Sequence, residues 1–302
     1  MAVAKENTAT TTALANVTAR QIDFVSQFSN EFSALMGILN VARPIKKESG
    51  AELKMVKVSV DLEKTVAEGE TIPYSELDWD EVKADPVTLE KYSIGVTAEA
   101  INQYGFDTAV DKADQELVAQ ITGQITGGLY TTLADDTSAL TATATGLQAQ
   151  LAKAQSKVRT HFETIQKGIT GMVAFVNTDD FYTYLGDASI SVQTAFGMTY
   201  IQNFLGYDVI FLTSQVTSGS VIATALNNLN VYYIDPADSD FAKAGLQYIT
   251  DETGFIGVHI NGNYGTAVSE TFAITGAKLF PEYADGIAII STTSSDEGEV
   301  TP

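Results

Sequence analysis

The chain has 302 residues, 45% of them hydrophobic and 18% charged, with a net charge of −21. Length and composition describe a globular protein of one large or two compact domains. The charge excludes a phosphate-gripping nucleic-acid surface, which needs clustered Lys and Arg, and the lack of cysteine excludes disulfides, thiolate catalysis and cysteine–zinc sites.

The first 15 or so residues are small and polar and are expected to form an arm without fixed structure. "TARQIDFVSQFSNEFSALMGILN" then sets Ile22, Val25, Phe28, Phe32, Leu35, Met36 and Leu39 at three- and four-residue steps. That spacing makes one apolar helix face, and Pro44 lies beyond its end. Two readings follow: a helix facing its own core, or an arm helix packed on a neighbouring subunit.

In "LKMVKVSVDLE", Val56, Val58, Val60 and Leu62 alternate with Met55, Lys57, Ser59 and Asp61, as in a half-exposed strand. "VAEGETIPYSELDWDEVKADP" (Val66 to Pro86) has no helical period, many carboxylates, one lysine and the only tryptophan, Trp79. It reads as an acidic loop, and a loop this long is functional or a misassigned element. "VTLEKYSIGVTAEA" is again strand-like through Tyr92, Ile94 and Val96. Val87 and Leu89 have the opposite parity, which predicts a bulge near Glu90. The two strands are expected to form one long hairpin around the acidic tip. A lone hairpin is marginal in water, so it must lean on its own domain or on another chain.

"GFDTAVDKADQELVAQITGQITGGLYTTLAD" predicts a helix of about 26 residues, a rod of roughly 39 Å, capped by Asp107 or Thr108. Gly123, Gly127 and Gly128 within it imply close backbone packing or a bend. "TSALTATATG" reads as a linker. "LQAQLAKAQSKVRTHFETIQKG" is a second amphipathic helix, with Gly168 as its expected C-cap. A strand "GMVAFV", a short helix capped by Asn177 or Thr178, and the strands "YDVIFLTS", "SVIATAL" and "NVYYID" follow as an α/β or α+β unit. "TGFIGVHING", "SETFAITGAKLF" and "GIAIIST" are further strands, and the tail is acidic.

Chemistry is sparse. His161 and His259 are the only histidines, and neither has metal-ligand spacing. There is no nucleophile elbow, phosphate loop or dinucleotide fingerprint. Asp235, Asp238 and Asp240 faintly suggest a calcium loop, but the glycine and bidentate glutamate are missing, so this reads as a solvated turn. No cofactor, metal, catalytic residue or membrane contact is expected. The remaining enzymatic reading is an acidic hydrolase using paired carboxylates.

The order of parts resembles the major capsid protein of tailed bacteriophages, the Hong Kong ninety-seven fold family. "VAEGETIPYSELDWDEV" followed by "LEKYSIGVTAEAI" is similar to that family's extended loop, through Glu68, Gly69, Ile72, Pro73, Lys91, Thr97 and Glu99. "FLGYDVIFLTS" matches through Leu205, Gly206, Val209 and Ser214, and "ITGAKLFPEYADGIAII" resembles the closing strands.

The resemblance implies an α+β fold with an N-terminal arm (1–44), an extended hairpin loop (45–99), a peripheral domain with a spine helix (100–145 and 236–291), an axial domain (146–235) and an acidic tail (292–302). Copies would join as hexamers and pentamers of an icosahedral shell around double-stranded DNA, a virion capsid assembled in the host cytoplasm. The loop residues expected at the subunit contact are Glu68, Glu70, Pro73, Tyr74, Trp79 and Asp80, with Arg43, Lys46 and Lys47 of a neighbour as basic partners. Scaffold, portal and decoration proteins are further implied partners. No fused scaffolding helix precedes the arm, which implies a separate scaffold or a removed leader. Some relatives crosslink a loop lysine; Lys54, Lys57 and Lys64 stand in range, but no local motif marks them. An encapsulin-type nanocompartment shell is the alternative on the same fold.

Overall fold

The structure, a computed structural model, describes residues 11–40, 44–61, 68–69, 71, 76–135, 138–186, 191–237, 241 and 243–292. The first half holds α1 (Thr11–Ile38), β1 (Ile45–Lys46), β2 (Glu52–Asp61), β3 (Glu76–Pro86), β4 (Glu90–Thr97), α2 (Ala98–Tyr104), α3 (Phe106–Leu133) and β5 (Leu140–Thr143). Then come α4 (Leu147–Thr164), β6 (Met172–Asn177), α5 (Thr178–Leu185), β7 (Gln193–Ala195), β8 (Met198–Phe204), β9 (Tyr207–Thr213) and β10 (Ser220–Ala225). The chain closes with β11 (Leu229–Tyr233), β12 (Ile256–Asn263), β13 (Val268–Thr275), β14 (Lys278–Pro281), a 3-10 turn at Ala284–Gly286 and β15 (Ile287–Ser291). This is an α+β fold.

A seven-stranded sheet in the order β5-β15-β10-β6-β9-β8-β7 divides the core. Every residue of its central strand β6 is buried, because helices cover both faces. Val173 and Phe175 point to α1 and α3, while Met172, Ala174 and Val176 point to α4. Smaller sheets, β1-β11-β14 and β12-β13-β4, complete the side that carries α1 and α3.

α1 faces its own core. Phe32 meets Phe28, Phe196 and Phe255 with ring centroids 4.9 to 5.9 Å apart, and Val25, Leu35 and Leu39 are buried beside them. Of the two readings of this helix, the core-facing one holds for the residues whose side chains are described. Ile22, placed on the apolar face by spacing, is half-exposed, and Phe24 is buried instead. The helix also begins at Thr11, inside the stretch expected to lack structure.

The structure corrects several local expectations. α3 starts after Gly105, whose φ of +84° stops α2 and leaves no side-chain cap, so Asp107 acts only as an acidic first-turn residue. Its glycines are not clasped by another backbone: a Cβ at Gly123 or Gly128 would meet open space, and Gly127 faces the side chain of Gln215. α4 ends at Thr164, and the left-handed residue beyond it is Gln166 rather than Gly168. Asn177 caps α5 as expected, accepting from the Asp179 N–H at 2.9 Å. "LTAT" in the expected linker is β5, paired in parallel with β15; this places two strands from outside residues 146–235 in the seven-stranded sheet.

The hairpin also differs. β2 pairs with β3, which is the acidic stretch itself, and not with β4. β4 turns away to pair with β13. The irregularity lies between Met55 and Val56, where Val82 is the extra residue on β3, rather than near Glu90. Val87 and Leu89 change parity because they belong to the turn between two strands, where the Gly50 N–H donates to the Val87 carbonyl at 2.8 Å and the Val87 N–H donates to the Ala51 carbonyl at 2.9 Å.

Candidate inter-subunit interface

The base of the β2–β3 hairpin is fixed to the body. Leu53, Met55 and Val87 are buried with Ile234, Phe280 and Ala284. The Val56 N–H donates to the Glu282 carbonyl at 2.9 Å, and Lys278 on β14 pairs with Asp85 on β3 at 2.7 Å. Lys54 and Glu81 pair across the ribbon at 2.7 Å, which raises the lysine above its ordinary value.

The turn that receives this base is itself held by a buried polar network. The Tyr283 N–H donates to Asn228 Oδ1 at 2.7 Å, and Asn228 Nδ2 donates to the Tyr283 carbonyl and to Thr224 Oγ1, each at 3.0 Å. Thr224 Oγ1 in turn donates to the Gly286 carbonyl at 2.9 Å. Lys167 Nζ donates to the Tyr283 hydroxyl at 2.5 Å. Burial raises the Tyr283 phenol while the neighbouring ammonium opposes that shift. A buried network satisfied in this way rigidifies the element that carries it.

Beyond Val56 the ladder runs through Lys57–Asp80, Val58–Trp79, Ser59–Asp78, Val60–Leu77 and Asp61–Glu76. Five residues at strand rise extend it by about 17 Å. Directly opposed residues share a face, and so do alternate residues of one strand, so the exposed Lys57, Asp78 and Asp80 share one face of the ribbon. Among the described residues no third strand pairs with β2 or β3.

The residues expected at the contact are distributed as follows. Glu68 is exposed in a turn with Gly69, and Asp80 is exposed on β3 opposite Lys57. Trp79 stands on β3 opposite Val58. Glu70, Pro73, Tyr74 and Arg43 lie outside the described residues, as does Lys64 of the crosslinking candidates. Lys46 pairs with Asp235 of its own chain at 2.7 Å, and Lys47 stands 5.9 Å from the centre of the Tyr232 ring. Burial works to raise the Asp235 carboxyl, but Lys46 and the Ala237 N–H outweigh it and hold the group below its ordinary value. Asp238 and Asp240 lie outside the described residues.

Two surface features had no clear signal in the sequence. Tyr264, at the β12–β13 turn, is 99% exposed; the flanking Asn and Gly announce a turn but not what it presents. An open trough of about 1570 Å³ runs between α1, the start of α3 and β12, lined among others by Asp23, Phe24, Phe106, Asp111 and His259. Its wall is braced by Arg20, which grips both Asp114 oxygens at 2.5 and 2.6 Å and donates to Thr271 Oγ1 at 2.8 Å. Among the described residues, no group of three or more His, Asp or Glu could hold a metal ion, and no helix is long and apolar enough to cross a membrane.

No protein-family model matches the chain, and no curated protein is similar to it in sequence. Among solved structures, it is similar to the capsid asymmetric unit of cyanophage A-1(L), with a TM-score of 0.53 and 11% identity over 85% of this chain and 91% of that one. It is also similar to a structure from Mycobacterium phage Che8 (TM-score 0.49, 10% identity, 81% of this chain and 85% of that one). A third is the holo-SrpI encapsulin complex of Synechococcus elongatus (TM-score 0.48, 10% identity, 86% and 89%). The chain thus has a mixed α+β fold of the Hong Kong ninety-seven phage-capsid type.

Proposed function

We propose that this chain is a major capsid protein, a structural subunit and not an enzyme, whose copies close an icosahedral shell of hexamers and pentamers around double-stranded DNA. The observation that carries the reading is the β2–β3 ribbon. It leaves the body after Val56 and pairs with no third strand among the described residues. A free two-stranded ribbon is marginal in water, and an identical neighbour supplies the missing surface at no genetic cost. The capsid fold supports the same reading.

In this reading residues 45–99 reach the neighbour through the ribbon, and Glu68, Glu70, Pro73, Tyr74, Trp79 and Asp80 form its contact. Residues 100–145 and 236–291 form the peripheral region around α3, and 146–235 the axial region. Arg43, Lys46 and Lys47 are the basic partners, Lys46 pairing with Asp235 within the subunit as well. Scaffold, portal and decoration proteins would join the shell during assembly in the host cytoplasm.

Electron microscopy of the expressed protein tests the proposal. Closed shells or capsomers are expected. A protein that stays monomeric at all salt and protein concentrations overturns it. Particles that protect protein cargo rather than DNA would assign the chain to nanocompartment shells instead.

A further inference from the structure

The receiving turn contains one contact that the capsid reading does not use. His161, in the last turn of α4, places Nε2 3.3 Å from Oδ1 of Asp285 in the Ala284–Gly286 turn. Both side chains are nearly buried, with 15% and 6% exposure. Neither atom has a hydrogen-bond partner among the described residues. Burying an orphaned carboxylate oxygen is costly, and the facing imidazole is the group placed to relieve that cost.

We propose that His161 and Asp285 form a proton-dependent latch that clamps the Ala284–Gly286 turn, and with it the base of the β2–β3 hairpin, onto α4. Protonation turns the contact into a charge-assisted one, about twice as strong as its neutral form. Histidine is the side chain that changes charge between pH 5 and 8. The other charged groups on the elements that meet here are Lys153, Lys157, Arg159 and Glu163 on α4, Lys167 after it, and Glu282 before the turn. Lys167 is engaged by the Tyr283 hydroxyl, and Glu282 accepts from Asn230 Nδ2 at 3.5 Å.

The mechanical link is short. Asp285 lies two residues from Tyr283, which is bridged to Val56, and three from Glu282, whose carbonyl takes the Val56 N–H. Ala284 packs in the small core with Leu53 and Met55. Holding the turn therefore holds the point where the hairpin leaves the body. At low pH the hairpin base is clamped, and as pH rises through the histidine range it loosens. This does not depend on the chain forming a shell.

Hydrogen exchange on the intact monomer, corrected for intrinsic rates, tests the latch. Protection of the Val56 amide and of residues 282–286 is expected to rise about tenfold from pH 8 to pH 5.5, the change that one charged hydrogen bond supports, while α3 amides stay level. His161→Gln is expected to flatten that rise. The chain has only two histidines, so loss of one imidazole NMR signal in His161→Gln assigns His161 directly. Asp285→Asn is expected to flatten the rise as His161→Gln does. Protection that is level with pH in the wild type, or an unchanged rise in His161→Gln, overturns the proposal; the wild-type profile decides even if a variant fails to fold.

Discussion

The Val56 N–H meets the Glu282 carbonyl at 2.9 Å, at the position where the β2–β3 hairpin separates from the body. Before it, Leu53 and Met55 are buried; after it, the ladder continues without a third strand among the described residues. The hairpin thus has an anchored half, which belongs to the subunit's stability, and a free half, which does not.

Removing the free half should therefore spare the fold. Replacing residues 59–78 with Asn-Gly joins Val58 to Trp79 in existing register through a turn suited to a two-residue hairpin loop. The variant is expected to melt within about 3 °C of the wild type, equivalent to roughly 1 kcal/mol, and to form no shells. Calorimetry and sizing chromatography check both halves of the expectation. An unfolded product would place the ribbon in the subunit's own core.

Phe32→Ala is expected to cost about 3–5 kcal/mol in urea denaturation, the range for deleting a buried aromatic ring. Its ring is fully buried and touches Phe28, Phe196 and Phe255. A loss below about 1 kcal/mol would show that α1 leaves the core in solution and behaves as an arm.

These two regions were not equally legible. α1 could be read because Val25, Phe28, Phe32, Leu35 and Leu39 repeat at helical steps, and burial follows that period. β3 escaped because carboxylates are poor strand formers. Its alternation of Leu77 and Trp79 with Asp78 and Asp80 is also broken by the extra residue Val82. β5 was hidden by threonine and alanine, whose place in a sheet comes from the long-range pairing with β15. The turn that receives the hairpin depends on Asn228 and Thr224, more than fifty residues upstream of it. No local window contains that information. The contact residues came from family resemblance, and the Lys46–Asp235 pair was not legible because the two are close only in the folded chain.

Arg20→Ala is expected to destabilise the subunit by about 2–4 kcal/mol, because it leaves a mostly buried Asp114 without its bidentate partner. Asp114→Ala should cost a similar amount. The double variant should cost clearly less than the sum of the two, since each single change already strands the other charge. Urea denaturation of the three variants measures the coupling; additive losses would mean that the pair contributes nothing beyond its separate side chains.

Asp235 gives a defined acid dependence. Its carboxyl lies below its ordinary 3.8 in the folded chain. The stabilisation is therefore complete above about pH 4 and is lost as pH falls through the lower folded-state value. Lys46→Met should raise the Asp235 titration, and its stability deficit against the wild type should shrink below that pH. Carboxyl NMR and denaturation at pH 2 to 6 check the direction. A deficit that grows on acidification would reverse the assignment.

Salt should strengthen association between copies. Each subunit carries a net charge of −21, and Lys46, one cation available to meet an acidic ribbon, is held by Asp235. Long-range repulsion then opposes assembly more than local attraction favours it. Raising ionic strength from 0.1 to 1 M shortens the Debye length from about 10 to about 3 Å, which removes the repulsion and leaves apolar contacts almost intact. The critical concentration for assembly, followed by light scattering, is expected to fall as salt rises. A rise would mean that carboxylates such as Glu68 and Asp80 meet cations of the neighbour, and that these pairs outweigh the apolar contacts.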